Sequence, residues 1–268
     1  MTMRSDITIR QLRNTYRFRA WICEGRNEED PGIADTLVVV FSGIGAKESD
    51  CPGYEFPRLA TQDGQRHVLF IADPLRTWLN EPGLIEDIVA LIEETKARLG
   101  LTRVVMMGHS MGGFMASVLP SFTPVEACLC FSPQGTVHPD LIPGDMRWWE
   151  HREKITEYRI RDATDYLSPA THYYVIFGRA QKEANQIERF VPAENLHLFL
   201  LPDTSHDSAA KIKASGQLAR LIRFAIQHRP RMVRELMQQR LGALHLTSAE
   251  ERDAALMDEA DQASQVAS

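Results

Sequence analysis

The most informative segment of the chain is the string Val104-Val-Met-Met-Gly-His-Ser-Met-Gly-Gly113. It places Gly-x-Ser-x-Gly directly after an apolar, strand-like run and directly before a small-residue helical stretch at 114–119. A sharp strand-to-helix turn holds such a serine at strained backbone angles with its hydroxyl exposed, and the flanking glycines are needed because Cβ atoms would collide in so tight a bend. Ser110 is therefore a candidate nucleophile.

A serine hydroxyl is a poor nucleophile at neutral pH, so it needs a base within hydrogen-bond reach and a third group that orients the base. The chain has nine histidines. Five are poorly placed in strands, at the turn itself or near the end of the chain: His67, His109, His197, His228 and His245. The candidates that remain are His206, His138, His151 and His172.

The elements that must position these groups follow an α/β pattern. Six short apolar segments rich in β-branched residues alternate with helix-like stretches, at 37–41, 67–72, 103–107, 127–131, 173–177 and 196–201. Near-continuous apolar strands separated by helices are typical of a parallel sheet covered on both faces. Two further segments, 7–12 and 16–23, predict an antiparallel hairpin on the sheet edge. The pattern predicts a mostly parallel eight-stranded sheet with helices on both faces.

The intervening segments predict helices at 82–100, 208–226 and 229–241, and a capping box at 248–251 predicts a short last helix. Residues 135–171 are too long for a simple connection, so we expect a small cap insertion after the sixth strand. Trp148 and Trp149 in this cap are adjacent, so at most one of them is expected to face the site. Residues 229–268 are expected to form a C-terminal helix and an acidic tail.

Composition and charge exclude several classes of protein. The 30 basic and 36 acidic side chains give a formal net charge of −6, so the chain lacks the positive field that binding to nucleic acid requires. No apolar run approaches the ~20 residues that cross a bilayer, so no membrane span is expected. The first ten residues contain no signal-peptide-like apolar core, and the four cysteines are scattered, so we expect a cytoplasmic protein.

The segment Gly108-His-Ser-Met-Gly112, on a strand-turn-helix within this α/β order, resembles the α/β-hydrolase superfamily. The resemblance covers residues 7 to about 227 and implies an α/β-hydrolase domain over residues 1–228 with Ser110 as nucleophile. Members of the superfamily carry the catalytic histidine between the last strand and the last long helix. His206 occupies that place in this chain, within Leu201-Pro-Asp-Thr-Ser-His-Asp-Ser208.

The orienting acid is where the chain departs from the superfamily pattern. The usual aspartate lies about three residues beyond the glycine that follows the seventh strand, and Gln181 occupies that place here. Glu183 lies two residues further along the same loop and has the reach to serve, because either acid can orient the imidazole. Asp140 and Asp145, after the sixth strand, are the alternatives, since some members place the acid there.

Two backbone N–H groups are expected to stabilise a developing oxyanion. One belongs to Met111, the residue after the nucleophile. The other is expected at Ile44, in a loop at 41–47 that resembles the superfamily's His-Gly-x oxyanion loop with Ser42 in place of the histidine.

We expect neither a cofactor nor a metal. The segment Gly43-Ile-Gly45 lacks the third glycine of a dinucleotide loop, and the chain has no phosphate-binding Gly-Lys-Ser/Thr. Cys128 and Cys130 lie in a predicted buried strand with no paired histidines or cysteines following them, so they are read as core residues.

The resemblance implies a serine hydrolase that cleaves a small-molecule carboxylic ester or thioester through an acyl-enzyme on Ser110. Peptidase or acyltransferase activity would differ only in the leaving group or the acceptor. Because Gln181 replaces the usual aspartate, the alternative is a non-catalytic binding protein on the same scaffold.

Overall fold

The structure is a computed structural model that describes residues 7–26, 34–46 and 50–266, with side chains as far as Met257. Outside the described residues lie the first six residues and Lys47. The predicted acidic tail is described without its side chains from residue 258 to residue 266. The strands are β1 (Arg10–Asn14), β2 (Arg19–Cys23), β3 (Thr36–Phe41), β4 (His67–Ala72), β5 (Arg103–His109), β6 (Ala127–Phe131), β7 (His172–Gly178), β8 (Leu196–Leu201) and β9 (Leu244–Leu246). The helices are α1 (Pro57–Ala60), α2 (Leu84–Leu99), α3 (Met111–Val118), α4 (Trp149–Arg152), α5 (Ala184–Ile187), α6 (Ser208–Ala214), α7 (Leu218–Ile226), α8 (Pro230–Glu235) and α9 (Ala249–Val266).

The described strands form a single sheet in the order β1-β2-β4-β3-β5-β6-β7-β8-β9. Strands β3 to β8 run parallel to one another, whereas β1, β2 and β9 pair antiparallel with their neighbours. The predicted mostly parallel α/β sheet and its antiparallel edge hairpin are confirmed. The sheet has one strand more than the eight expected, because β9 is a three-residue strand, too short to give a periodic signal.

Both faces of the sheet are buried, as the near-continuous apolar strands predict. Along β3, Leu37, Val39 and Phe41 pack with residues of α2 and α3. The alternate residues Val38 and Val40 pack on the other face, with residues of α6, α7 and α8. The two-residue repeat of a strand places successive side chains on opposite faces, so an unbroken apolar run supplies both core layers.

The helices differ from the sequence prediction in three places. The last helix, predicted to be short, is the 18-residue α9, which includes residues expected to form the acidic tail. The stretch 208–226 was expected to be one helix but forms α6 and α7, because Gly216 adopts a left-handed φ of 75° that ends α6. The stretch 229–241 forms α8 followed by a π-helical turn at Leu236–Arg240. Among the described residues, none of the helices combines the length and the apolar character needed to cross a bilayer.

The parallel strands bring six loops to one edge of the sheet. The carboxyl ends of β4, β3, β5, β6, β7 and β8 lie side by side there in that order. Ligands of open α/β sheets bind at this edge, because the loops there converge from strands that are distant in sequence. These loops carry the candidate residues.

Candidate active site

The turn at Ser110 has the strained geometry that the sequence predicts. Strand β5 ends at His109, helix α3 begins at Met111, and Ser110 between them has φ 59° and ψ −121°. A Cβ atom added at Gly108 would lie 2.3 Å from the Gly112 carbonyl carbon, and one added at Gly112 would lie 2.2 Å from the Phe41 carbonyl oxygen. Both positions therefore require glycine, because the strand, the helix and β3 approach too closely for any side chain.

Ser110 and His206 lie within hydrogen-bond distance although 96 residues separate them. The distance from Ser110 Oγ to His206 Nε2 is 2.9 Å. His109, the residue before Ser110, holds the loop that carries His206. Its Nε2 donates a hydrogen bond to the His206 carbonyl oxygen at 2.9 Å. Burial lowers the pKa of His109, which keeps that ring neutral beside His206.

Glu183 completes a Ser-His-Glu arrangement. Its Oε2 lies 3.3 Å from His206 Nδ1, and its side chain is buried. Burial by itself would raise the pKa of the Glu183 carboxyl, but the hydrogen bond to His206 and the positive charge of Arg147 outweigh burial and hold this pKa below its usual value. The carboxylate is therefore ionised at neutral pH and able to accept a hydrogen bond from the Nδ1–H of the imidazole.

The alternative acids are placed elsewhere. Asp145 binds Arg147 through its carboxylate, with a distance of 2.7 Å between Oδ2 and Nη2. Asp140 is 75% exposed and lies 3.7 to 3.8 Å from Arg161 and His138. Arg147 in turn reaches Glu183, at 3.1 Å from Nη1 to Oε1, so Asp145 supports the acid through an arginine.

The loop after β3 borders the serine. An added Cβ at Gly43 would lie 3.8 Å from Ser110 Cβ and 3.2 Å from the His109 carbonyl oxygen. The carbonyl of Ile44 accepts a hydrogen bond from Arg76 Nε at 2.8 Å, which anchors the loop. Met111 opens α3, where a backbone N–H has no partner within the helix. Both expected oxyanion donors thus lie on segments next to Ser110.

Glu55 is a buried acid beside this loop that the sequence analysis missed. Its Oε1 accepts the Gly43 N–H at 3.1 Å. Burial raises the pKa of its carboxyl to about 7, against the smaller opposite effect of the Gly43 hydrogen bond. No motif surrounds Glu55 in the sequence, and only the approach of its loop to Gly43 reveals it.

The Ser110 hydroxyl is more covered than the motif predicts. The residue is 4% exposed, where a projecting hydroxyl was expected. Gln134 accounts for part of this cover, because its Nε2 lies 2.8 Å from Ser110 Oγ, while Trp78 Nε1 donates to Gln134 Oε1 at 3.0 Å. The position of Gln134, just after the predicted sixth strand, was the available signal for this residue.

The other three candidate histidines have different partners. The His138 ring packs edge-on against Tyr158, with centroids 4.6 Å apart. His151 lies 3.7 Å from Glu150, and the His172 ring packs against His228 with centroids 4.2 Å apart. None of the three has a hydrogen bond to Ser110 in the described part of the structure.

Residues 135–171 lie against the site at Trp148. Its ring centroid is 5.8 Å from that of His206 and 6.4 Å from that of Trp78, and the Arg147 guanidinium lies 4.9 Å over it. Trp149 points elsewhere and is 41% exposed. One tryptophan of the pair therefore faces the site. Trp148 is not helical, however, because it precedes α4 with a left-handed φ of 58°.

A cleft of about 620 Å³ adjoins the site on the side of His109. Its lining includes Glu55, Phe56, Leu59, His109, Asp207 and Ala209. This volume lies within the range of small-molecule sites, and the lining combines apolar side chains with charged ones at Glu55, Arg58, Asp207 and Lys213.

No side-chain cluster suited to a metal ion occurs among the described residues. Cys128 and Cys130 are fully buried in β6 and belong to the core.

Comparison with solved structures identifies the fold. The esterase Est1E from Butyrivibrio proteoclasticus superposes with a TM-score of 0.52 at 13% identity, over 84% of this chain and 99% of its own. An esterase of Pyrococcus furiosus gives 0.54 at 14% identity, over 82% and 91% of the two chains. A lidless α/β serine hydrolase from Xanthomonas campestris gives 0.53 at 15% identity, over 83% and 94%. The chain therefore has the α/β-hydrolase fold.

Sequence comparison gives no further assignment. No family model matches the chain, and no curated protein matches it.

Proposed function

We propose that the protein is a serine hydrolase that cleaves a small-molecule carboxylic ester or thioester through an acyl-enzyme on Ser110. The observation that carries this proposal is the 2.9 Å contact between Ser110 Oγ and His206 Nε2 at a strand-to-helix turn where Ser110 has a positive φ of 59°. A non-glycine residue at positive φ costs free energy and persists where the surrounding structure enforces it, often at functional sites. The esterases and hydrolases among the structural neighbours support a hydrolase on this scaffold.

Acylation uses the Ser110 hydroxyl as nucleophile and His206 as base. An Oγ lone pair forms a bond to the substrate carbonyl carbon while the hydroxyl proton moves to His206 Nε2. The carbonyl oxygen becomes an oxyanion, and the Met111 and Ile44 N–H groups are the proposed donors to it. The intermediate then collapses, and the departing alcohol or thiol takes the proton from His206.

Deacylation repeats these steps with water. His206 removes a proton from the attacking water, and the second tetrahedral intermediate expels Ser110 Oγ, which regains its proton from His206. Glu183 holds the imidazole by its Nδ1 proton and stabilises the imidazolium that forms in each step.

We propose residues 135–171 as a cap that shapes the substrate site through Trp148, and the cleft beside His109 as the place of the acyl or leaving group. The flat Trp148 ring near His206 favours a small apolar or aromatic substrate part. The four free cysteines are compatible with action in the cytoplasm, which we retain as part of the proposal.

The test is covalent labelling with a fluorophosphonate, followed by an ester and thioester panel of increasing acyl length. Wild type should be labelled and should turn over at least one member of the panel, and Ser110→Ala should lose both activities. Ser117→Ala is the matched control. It removes a serine hydroxyl from α3, the helix that follows Ser110, and this hydroxyl bonds to the Phe114 carbonyl and not to the site. Labelling of the Ser110→Ala protein, or no labelling of folded wild type, would overturn the proposal and favour the non-catalytic alternative.

A further inference from the structure

The side chains around Ser110 form one continuous chain of hydrogen bonds that runs beyond the three proposed catalytic residues. It passes from Trp78 to Gln134 at 3.0 Å and from Gln134 to Ser110 at 2.8 Å. It continues from Ser110 to His206 at 2.9 Å and from His206 to Glu183 at 3.3 Å. Gln134 and Trp78 are both fully buried, so water does not compete for these bonds.

The residues at the two ends of this series of hydrogen bonds determine which atom donates and which accepts in each bond. An indole N–H can only donate, so Trp78 must face the Gln134 carbonyl oxygen, and the amide NH₂ of Gln134 must face Ser110. An ionised carboxylate can only accept, so the Nδ1–H of the imidazole donates its hydrogen bond to Glu183. His206 Nε2 is then an acceptor, and the Ser110 hydroxyl proton points to it.

We infer that Gln134 is a further catalytic residue, which donates its amide N–H to Ser110 Oγ in both half-reactions of the proposed function. Oγ has two lone pairs, so it can accept from Gln134 with one and attack the carbonyl carbon with the other. As its proton leaves for His206, Oγ gains negative charge and the Gln134 hydrogen bond strengthens. In deacylation Oγ is the leaving group, and the same N–H stabilises it as the bond to the acyl carbon breaks.

Trp78 acts as a positioning residue for this donor. Without its N–H, either end of the Gln134 amide could face Ser110, and the carbonyl end would oppose the charge that develops on Oγ. The two residues lie 56 positions apart, on the loop after β4 and the loop after β6.

The experiment measures the second-order rate constant of fluorophosphonate inactivation across pH 5 to 9, together with thermal unfolding of each variant. Gln134→Met, close in shape but without a donor, should react about tenfold to hundredfold more slowly than wild type. Gln134→Glu keeps the oxygen that faces Trp78 but presents a carboxylate to Ser110 once ionised. Its rate relative to that of wild type should therefore fall as pH rises and the introduced carboxyl ionises.

A double-mutant cycle separates this role from packing. Trp78→Phe should slow inactivation by less than Gln134→Met does. The double variant should react no more slowly than Gln134→Met alone, because the phenyl ring keeps an aromatic group against Trp148 and removes only the N–H that orients Gln134. If Gln134→Met does not fold, Gln134→Glu and Trp78→Phe carry the test. Wild-type rates with parallel pH profiles in these variants would overturn the inference and leave the proposed function standing, whereas an unreactive wild type would overturn both.

Discussion

Arg147 and Glu183 share an ion pair in which the two carboxylate oxygens have separate tasks. Oε1 lies 3.1 Å from Arg147 Nη1, and Oε2 lies 3.3 Å from His206 Nδ1. Arg147 is held in turn by Asp145, so Glu183 is fixed by a residue of the segment 135–171 as well as by its own loop. Glu183 is longer than the aspartate usual in the superfamily, and Arg147 holds the carboxylate oxygen that does not contact His206.

Arg147→Met should make activity more sensitive to acid. The positive charge of Arg147 contributes to the lowered pKa of the Glu183 carboxyl, so its loss lets that pKa rise. Protonation of Glu183 then removes the acceptor for His206 Nδ1, and the acidic limb of the pH profile of kcat/KM should move to higher pH. Arg161→Met is the control on the same segment, because Arg161 is 55% exposed and pairs only loosely with Asp140. Equal shifts in both variants would contradict the specific role.

Glu183→Gln should reduce kcat by at least about tenfold, because an amide cannot stabilise the imidazolium and can favour the wrong tautomer. Asp140→Asn, a matched change of an exposed acid, should leave kcat unchanged. Steady-state kinetics on the best ester of the panel measures both. A loss in Asp140→Asn with none in Glu183→Gln would move the acid to Asp140.

Gly112→Ala should destabilise the fold by about 3 kcal/mol or more, because its Cβ would meet the backbone of β3 at 2.2 Å. Chemical denaturation measures the change. Gly53→Ala provides the comparison, since no atom lies within 4 Å of an added Cβ there and its φ is not in the left-handed range. A Gly112→Ala protein as stable as Gly53→Ala would show that β3 can withdraw from the turn.

Acid should weaken the fold through His197. Its ring stacks on Tyr174 and lies 3.4 Å from His245, and burial, together with the charges of His245, Arg234, His172 and His228, lowers its pKa to about 4. The unfolded chain binds the proton near pH 6.5, so the stability that the neutral ring contributes is lost as pH falls from about 6.5 toward 4.

His197→Gln removes this titration. The free energy of unfolding of wild type should fall by about 1–3 kcal/mol more than that of the variant between pH 7 and pH 4.5. Urea denaturation at several pH values measures both curves. Parallel curves would show that the His197 proton is bound equally in the folded and unfolded states.

The Glu55 carboxyl should make the free energy of unfolding depend on pH in the opposite direction from His197. Its raised pKa of about 7 means that the folded state favours the neutral carboxyl, so its contribution to stability is present at low pH and is lost as pH rises from about 4.5 through 7. In Glu55→Gln the side chain stays neutral, and the variant should gain stability relative to wild type between pH 5 and pH 8. A constant difference between the two unfolding curves would contradict this sign.

Much of the fold and the centre of the site follow from local sequence pattern. The apolar runs from Thr36 to Leu201 determine a two-faced parallel sheet, because a strand that is buried on both sides needs apolar residues at every position. Gly108 and Gly112 determine the turn, since no other residue fits there. The resemblance then led to His206 and Glu183, which the structure brings together with Ser110.

Other features depend on contacts between segments that are far apart in sequence. The Gln134 amide is oriented by Trp78, burial raises the pKa of the Glu55 carboxyl, and Asp145 binds an arginine instead of the imidazole. Irregular segments such as 135–171 have no repeat that predicts where a side chain points. The direction of each side chain there is set by the partner it meets, and only the tertiary structure decides which partner that is.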